Sequence, residues 1–338
     1  MIVQYKHSNL PFEYPFTISH GRTKTNQPAL IVELSIGPFT GYGEAPAIVY
    51  YNISVDQMIA DLERNKKLVE RFALTDPERY WHYLHHLFPN NPFLVCALDM
   101  AAWDLYGKMK AKPLFEIWNT QWSDNLPLTD YTIGIDTIEK MVAKMKAKPW
   151  PIYKIKLGTS EDISIIKALR ENTDAIFRID ANAGWTLEEA QTKILAMAEM
   201  GVEFIEQPLA IDNWDGMKIL FKESALPLIA DESCVSENDV KKCFEHFHGI
   251  NIKLTKCSGI TPALRMIKEA RLLNLKVMMG SMNECTIGSA AIANFLPQLD
   301  YIDIDGPLLL SEDLANGIQF DFGKVTLSGK PGLGIQLQ

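Results

Sequence analysis

The chain has 338 residues, a hydrophobic share of 47%, a charged share of 22% and a formal net charge of −9. That composition is ordinary for a globular protein, and the length admits one barrel plus a smaller domain. The acidic balance, with no lysine- or arginine-rich block, argues against a non-specific nucleic-acid binder, and no apolar run is long enough to suggest a membrane span.

The opening MIVQYKHSNL lacks the apolar stretch of a signal peptide. Residues 1–125 are expected to form an α+β unit. IVQYKHSNLPF and PALIVELSIGPFTGYGEA alternate and carry glycine turns, as strands do. Helical spacing follows at about 54–72, 76–87 and 92–109, the first opened by Ser54 as N-cap with Asp56 in its first turn.

From residue 126 the pattern alternates. Strands are expected near 128–134, 152–157, 175–180, 202–206, 227–231, 250–255, 276–280 and 300–304, with amphipathic helices between them, several opened by Ser, Thr or Asp. Eight strands and seven helices fit a (β/α)7β TIM-like barrel over 126–310, an α/β fold with an N-terminal capping domain. Residues 311–338, glycine-rich with Pro331, have no place in the alternation and are expected to return to the capping domain. Five scattered cysteines (Cys96, Cys234, Cys243, Cys257, Cys285) lack CxxC pairing. They indicate neither a disulfide framework nor a zinc site and are expected to be reduced thiols of a cytoplasmic protein.

Polar residues recur at the ends of the apolar runs. Lys156 closes YKIK, Asp180 closes AIFRID 24 residues on, Glu206 closes VEFIE 26 further, Asp231 closes PLIAD 25 further, and Lys256 follows NIKLT 25 further. A parallel strand with its returning helix takes roughly that length. The C-terminal strand ends of a TIM barrel form its active-site face.

Asp180, Glu206 and Asp231 therefore converge, and three carboxylates together without a cation repel one another. All-oxygen ligands suit Mg²⁺, with Mn²⁺ as a substitute. The plain alternative is that each acid caps the helix after its strand. Lys154 and Lys156, two apart, share a face of one strand. Two inward lysines require a polar site. Lys256 is expected on a strand across the metal patch. Lys253, three away, cannot also point inward by simple alternation and is read as structural. Asp303 and Asp305, in YIDID, share a face of the last strand and fit a cationic substrate group; a salt bridge to a barrel lysine is the alternative. The histidines, His82, His85, His86, His246 and His248 among them, fall away from strand ends and are read as surface or packing residues.

At this point the chain resembles the muconate lactonizing enzyme subgroup of the enolase superfamily, and within it the dipeptide epimerases. The resemblance covers nearly the whole chain. GYGEAPA at 41–47 and ALDMAAWDLYGKMKAKPLFEIW at 97–118 are similar to the capping domain. Lys154-Ile-Lys156 resembles the KxK motif. Asp180-Ala-Asn182, Glu206-Gln-Pro and Asp231-Glu-Ser resemble the three metal-ligand motifs. NIKLTK ending at Lys256 resembles the strand-six lysine motif, Gly280-Ser-Met282 with Glu284 the strand-seven segment, and Asp303-Ile-Asp305 the DxD motif. One departure is Ser258-Gly259 where the family usually has two glycines, a change expected to reshape the pocket floor.

The resemblance implies Mg²⁺-dependent 1,1-proton transfer at the α-carbon of a dipeptide's C-terminal residue, through an enediolate. Lys156 and Lys256 are then the two bases, Lys154 their support, and Asp303 and Asp305 the holders of the α-ammonium. Asn182, Met282 and Arg22 are candidate substrate contacts. Specificity is expected from loops near 15–28 and 46–54. The second, with Ile48, Val49, Tyr50 and Tyr51, suits an apolar side chain. Arg22 suits an acidic one such as glutamate, or is a solvated loop charge. Ala-containing or hydrophobic dipeptides are favoured, with L-Ala-L-Glu open. The expected partners are a small-molecule dipeptide and further copies of the chain in a homo-oligomer, with no nucleic acid and no membrane. N-acylamino-acid racemase, o-succinylbenzoate synthase and muconate cycloisomerase keep the same lysines and acids, and Asp303 and Asp305 discriminate against them. A Schiff-base aldolase, which needs no acid triad, and a non-catalytic metal-stabilised binding barrel are the rivals of other classes.

Overall fold

The computed structural model describes residues 1–18 and 22–338, with side chains of 16–22 outside the description. Three antiparallel strands come first, β1 (Ile2–Ile18), β2 (Arg22–Ile36) and β3 (Phe39–Pro46). Helices α1 (Val55–Arg71), α2 (Pro77–Leu87) and α3 (Pro92–Met109) follow, and then a single turn, α4 (Leu114–Ile117). Their starts are chemically marked. Ser54, Asp76 and Asn91 each accept a backbone N–H of the first turn, which removes an orphan donor. Helix α3 is apolar nearly all round because it is covered on all sides. Its closest neighbour is β3, where Gly43 lets the backbones touch: a Cβ there would lie 1.9 Å from the Ala97 carbonyl oxygen.

The barrel strands are β4 (Tyr131–Ile133), β5 (Ile152–Lys156), β6 (Ile176–Asp180), β7 (Val202–Glu206), β8 (Leu228–Ala230), β9 (Gly249–Ile252), β10 (Lys276–Gly280) and β11 (Tyr301–Asp303). Each pairs in parallel with its sequence neighbours, and a parallel bridge between Thr129 and Ile302 joins the two ends of the sheet. The helices between them are α5 (Ile138–Ala147), α6 (Asp162–Arg170), α7 (Leu187–Ala198), α8 (Trp214–Glu223), α9 (Glu237–Cys243), α10 (Leu254–Cys257), α11 (Ile260–Leu272) and α12 (Thr286–Ala293), with α13 (Gly306–Leu309) after β11. The architecture is therefore a parallel α/β barrel with an antiparallel N-terminal sheet and its helices against it.

The expected strand over 250–255 is shorter than the apolar run suggests. It ends at Ile252, and the chain turns at once into the one-turn α10, so Lys256 sits on a helix. Ser258, in the left-handed region (φ 72°), ends that turn. It does not form the pocket floor. Its carbonyl and hydroxyl accept the Trp81 indole N–H at 3.0 and 3.2 Å, tying α2 to the barrel. The tail touches both units. Ser311 N donates to the Pro11 carbonyl and Leu333 N to Asp104, while Gly323 accepts Thr129 N beside β4. Among the described residues no helix is long and apolar enough to cross a membrane. All five cysteines are free and buried.

Candidate active site

Register sets the site. Lys156 lies beside Asp180 across β5 and β6, and Asp180 beside Glu206 across β6 and β7, so three of the expected site residues stand abreast at the C-terminal mouth. Asp231 follows β8 on the same rim. Carboxylate oxygens of Asp180, Glu206 and Asp231 all lie within 4.8 Å of one another, and all three residues are buried. The Gln207 amide helps place them: its Oε1 accepts Asp231 N at 3.1 Å and Ser233 N at 3.0 Å, fixing the turn after β8.

Four lysines surround the acids. Lys154 Nζ is 2.7 Å from Glu206, 2.8 Å from Asp303 and 3.2 Å from Asp180. Lys156 is 2.6 Å from Asp180, and Lys253 is 2.7 Å from Asp231. Lys256 donates to both the carboxylate and the carbonyl oxygen of Asp231. The charges follow. Burial opposes ionisation of Asp180, but Lys156 and Lys154 hold its carboxyl down to about 2. Burial likewise disfavours charge on Asp231, and Lys253 and Lys256 overcome it, holding it well below the ordinary range. Glu206 goes the other way, to about 7, through burial and then the charge of Asp180. Lys154, shared among several acids, does not compensate it. Although Lys154 lies close, Glu206 Oε2 has no hydrogen bond of ordinary geometry. A buried carboxylate oxygen without a proper donor, in an all-oxygen cluster, fits a hard divalent cation.

A cavity of about 170 Å³ opens over this rim. Lys154, Lys156, Asp231, Asp303, Asp305, Asn182 and Met282 line it, so these expected site residues are brought together. Asp303 ends β11 against Lys154. Asp305 accepts Thr132 N at 2.6 Å, and burial with the charge of Asp303 raises it to about 6. Asn182 (φ 44°) donates through Nδ2 to Glu232 at 3.2 Å. The Arg22 side chain lies outside the described residues; among those described in that segment, Lys24 lines the cavity and donates to Gln27 at 3.1 Å.

The arrangement of the two C-terminal lysines corrects the sequence reading. Lys253, read there as structural, lines the cavity. Lys256 does not; its side chain is 1% exposed and sits behind Asp231. Simple alternation failed because the chain leaves the strand at Lys253 and coils, bringing residues three apart onto one side of α10. The repeat of about 25 also misled. Helix α9 is only seven residues long, and the lysine that lines the cavity comes 22 residues after Asp231. The run NI, which ends the strand with Lys253 next, is the available signal. Glu232, half-buried in the cavity wall with an enclosed Oε2 lacking a hydrogen bond, is marked by no spacing in the sequence.

A parallel barrel whose mouth holds three converging carboxylates ringed by lysines, with an antiparallel N-terminal sheet beside it, is a class of barrel that could hold a cation. The model of the "Enolase C-terminal domain-like" family matches residues 136–338, and the chain belongs to the enolase superfamily. It is 52% identical to the L-Ala-D/L-amino acid epimerase of Flavobacterium johnsoniae over 97% of both chains. Among solved structures, the substrate-liganded L-Ala-D/L-Glu epimerase from Bacillus subtilis superposes with a TM-score of 0.93 at 29% identity, covering 99% of this chain and 98% of that one. The dipeptide epimerase from Cytophaga hutchinsonii, complexed with Mg and the dipeptide D-Ala-L-Val, gives 0.92 at 26% identity, covering 100% and 96%.

Proposed function

We propose that this protein is a Mg²⁺-dependent dipeptide epimerase, an isomerase that removes and returns one proton at the α-carbon of the C-terminal residue of a dipeptide. The observation that carries the reading is the placement of Lys156 and Lys253. Lys156 ends β5 and Lys253 follows β9, strands four places apart in an eight-stranded order, and both face one cavity with the acid triad between them. Epimerisation needs proton removal on one face and return on the other, and two amines on opposite walls supply that. Lys253 thus takes the role that the sequence reading assigned to Lys256, which holds Asp231 in place.

Asp180, Glu206 and Asp231 would hold the cation, Mg²⁺ with Mn²⁺ as substitute. When bound it supplies Lewis-acid stabilisation of the charge that develops on the substrate carboxylate as the α-proton leaves. Lys154 positions Glu206 and Asp303. Asp303 and Asp305, both buried at the cavity, receive the free α-ammonium; an N-acylated substrate gains nothing from them. An N-terminal alanine follows from the relatives. Ile48, Tyr50, Tyr51 and Met282 support an apolar second residue, and Lys24 supports an acidic one. The five unpaired, buried thiols support a cytoplasmic location.

The test is incubation with Mg²⁺ and pooled L-Ala-containing dipeptides in D₂O, followed by mass spectrometry. Gain of a deuteron, abolished by chelator and restored by Mg²⁺, is the expected result. Exchange confined to N-acylamino acids would move the assignment to a racemase. Metal-dependent stabilisation with no exchange into any ligand would leave a binding barrel.

A further inference from the structure

The cavity is built across the seam between the N-terminal sheet and the barrel. Ser281, Met282 and Asn283 line it from the barrel side, on the segment joining β10 to α12. Met282 packs against the apolar cluster of the N-terminal unit, as do Ile48 and Tyr51. This segment is pinned at both ends. Ser281 N donates to the Asp303 carbonyl at 2.8 Å. At the other end the partner is Glu44, on β3 and 241 residues away in sequence.

Glu44 is fully buried, yet no lysine or arginine pairs with it among the described residues. Its Oε1 accepts Cys285 N at 2.9 Å, and its Oε2 accepts Gly288 N and the Cys285 thiol, each at 2.9 Å. Burial pushes that thiol well up, so it stays protonated and donates. Asp313, from the C-terminal tail, takes Thr286 N and the Thr286 hydroxyl. The first turn of α12 therefore has its orphan donors divided between two carboxylates from different parts of the chain. The packing leaves little slack: a Cβ at Gly306 would lie 2.3 Å from the Glu284 carbonyl, and one at Gly288 would lie 3.0 Å from the Glu284 side chain.

We propose that Glu44 is a positioning residue for substrate binding: from the N-terminal sheet it clasps the start of α12 and so fixes the Ser281–Asn283 wall of the cavity. This rests on the dipeptide-epimerase reading. Glu44 touches neither cavity nor triad; it acts through the wall it holds. Releasing it lets Met282 draw away from Ile48 and Tyr51, so the apolar side of the cavity widens. Ground-state fit and side-chain selectivity are then lost, while the triad and the lysines keep their places.

The experiment uses the Mg²⁺-loaded protein and the dipeptide that the wild type exchanges best. Glu44→Gln keeps one acceptor oxygen but turns an amide against donors the carboxylate had accepted. KM is expected to rise about tenfold, since charged hydrogen bonds are lost, with kcat within about twofold. The preference between best and poorest dipeptide should narrow. Asp313→Asn weakens the same helix start from the tail side; it should lower the melting temperature and leave KM unchanged. A Glu44→Gln protein that melts lower but keeps wild-type KM and selectivity overturns the proposal. If that variant does not fold, Cys285→Ala removes the thiol that donates to Glu44, together with its long 3.5 Å acceptance of Ile287 N: a KM rise of about threefold supports the clasp, and an unchanged KM overturns it. Amide hydrogen exchange at Cys285 and Gly288 reads the clasp without activity. An inactive wild type with those amides protected would sink the epimerase reading, and with it the substrate role, while leaving the clasp itself established.

Discussion

The two lysines on either side of Thr255 make the sharpest test. Lys253→Ala removes an amine that faces the cavity. Losing a positioned general acid or base costs roughly 10³-fold, within the usual span for such groups. Because the other amine, Lys156, stays on β5, the variant should still exchange the α-proton of one epimer with solvent while failing to interconvert the two. Lys256→Met is different in kind. The methionine keeps most of the buried stem, but Asp231 loses the ammonium that bonds both its carboxylate and its carbonyl. Removing one partner of a buried ion pair costs about 3–5 kcal/mol; with Lys253 still paired to Asp231 the low end applies, ~3 kcal/mol. For a chain of this size that is a fall of about 5 °C in melting temperature. Deuterium exchange of each epimer by proton NMR, with thermal melts of the same samples, reads both quantities. The reasoning is refuted if Lys253→Ala interconverts epimers at the wild-type rate. It also fails if Lys256→Met melts normally but loses turnover.

Asp305→Asn should raise KM for a dipeptide with a free ammonium by roughly tenfold or more, the worth of a charge-assisted contact, and hardly alter weak binding of its N-acetyl form; competition kinetics with both ligands checks this. Asp99, buried between α3 and α11 and accepting Thr261 N and its hydroxyl, is pushed up to about 7, chiefly by burial. Its folded value exceeds its unfolded one, so the folded state binds the proton more tightly, and stability falls as pH rises from about 4 to 7, then levels. The span corresponds to roughly 4 kcal/mol, and Asp99→Asn should flatten that slope in denaturant titrations at pH 5 and pH 8. Gly43→Ala drives a methyl group into the Ala97 carbonyl and should cost about 3 kcal/mol, seen as a lower denaturant midpoint.

What the chain determines locally was legible without a structure. The barrel strands announce themselves as apolar runs of a few residues spaced by one crossover, and the helix starts by their capping residues at Ser54, Thr186 and Asn213. Lys154 and Lys156 share a face by the period of a strand alone. The ends of β6 and β7 stand side by side because parallel pairing, past an irregularity in register between Phe177 and Arg178, carries Asp180 and Glu206 to the same rim. Where the backbone departs from its regular period, the sequence misleads. At Lys253 the strand stops and a single helical turn begins, which puts Lys253 at the cavity and Lys256 behind Asp231. That choice is tertiary: Asp231 and the cavity, contributed by other strands, decide which ammonium is walled in and which faces the cavity. The same holds for Glu44. Its place in GYGEA says only that a strand follows a turn; that its carboxylate closes the start of a helix 241 residues away is set by how β3 meets α12 in the folded chain, which no local propensity encodes.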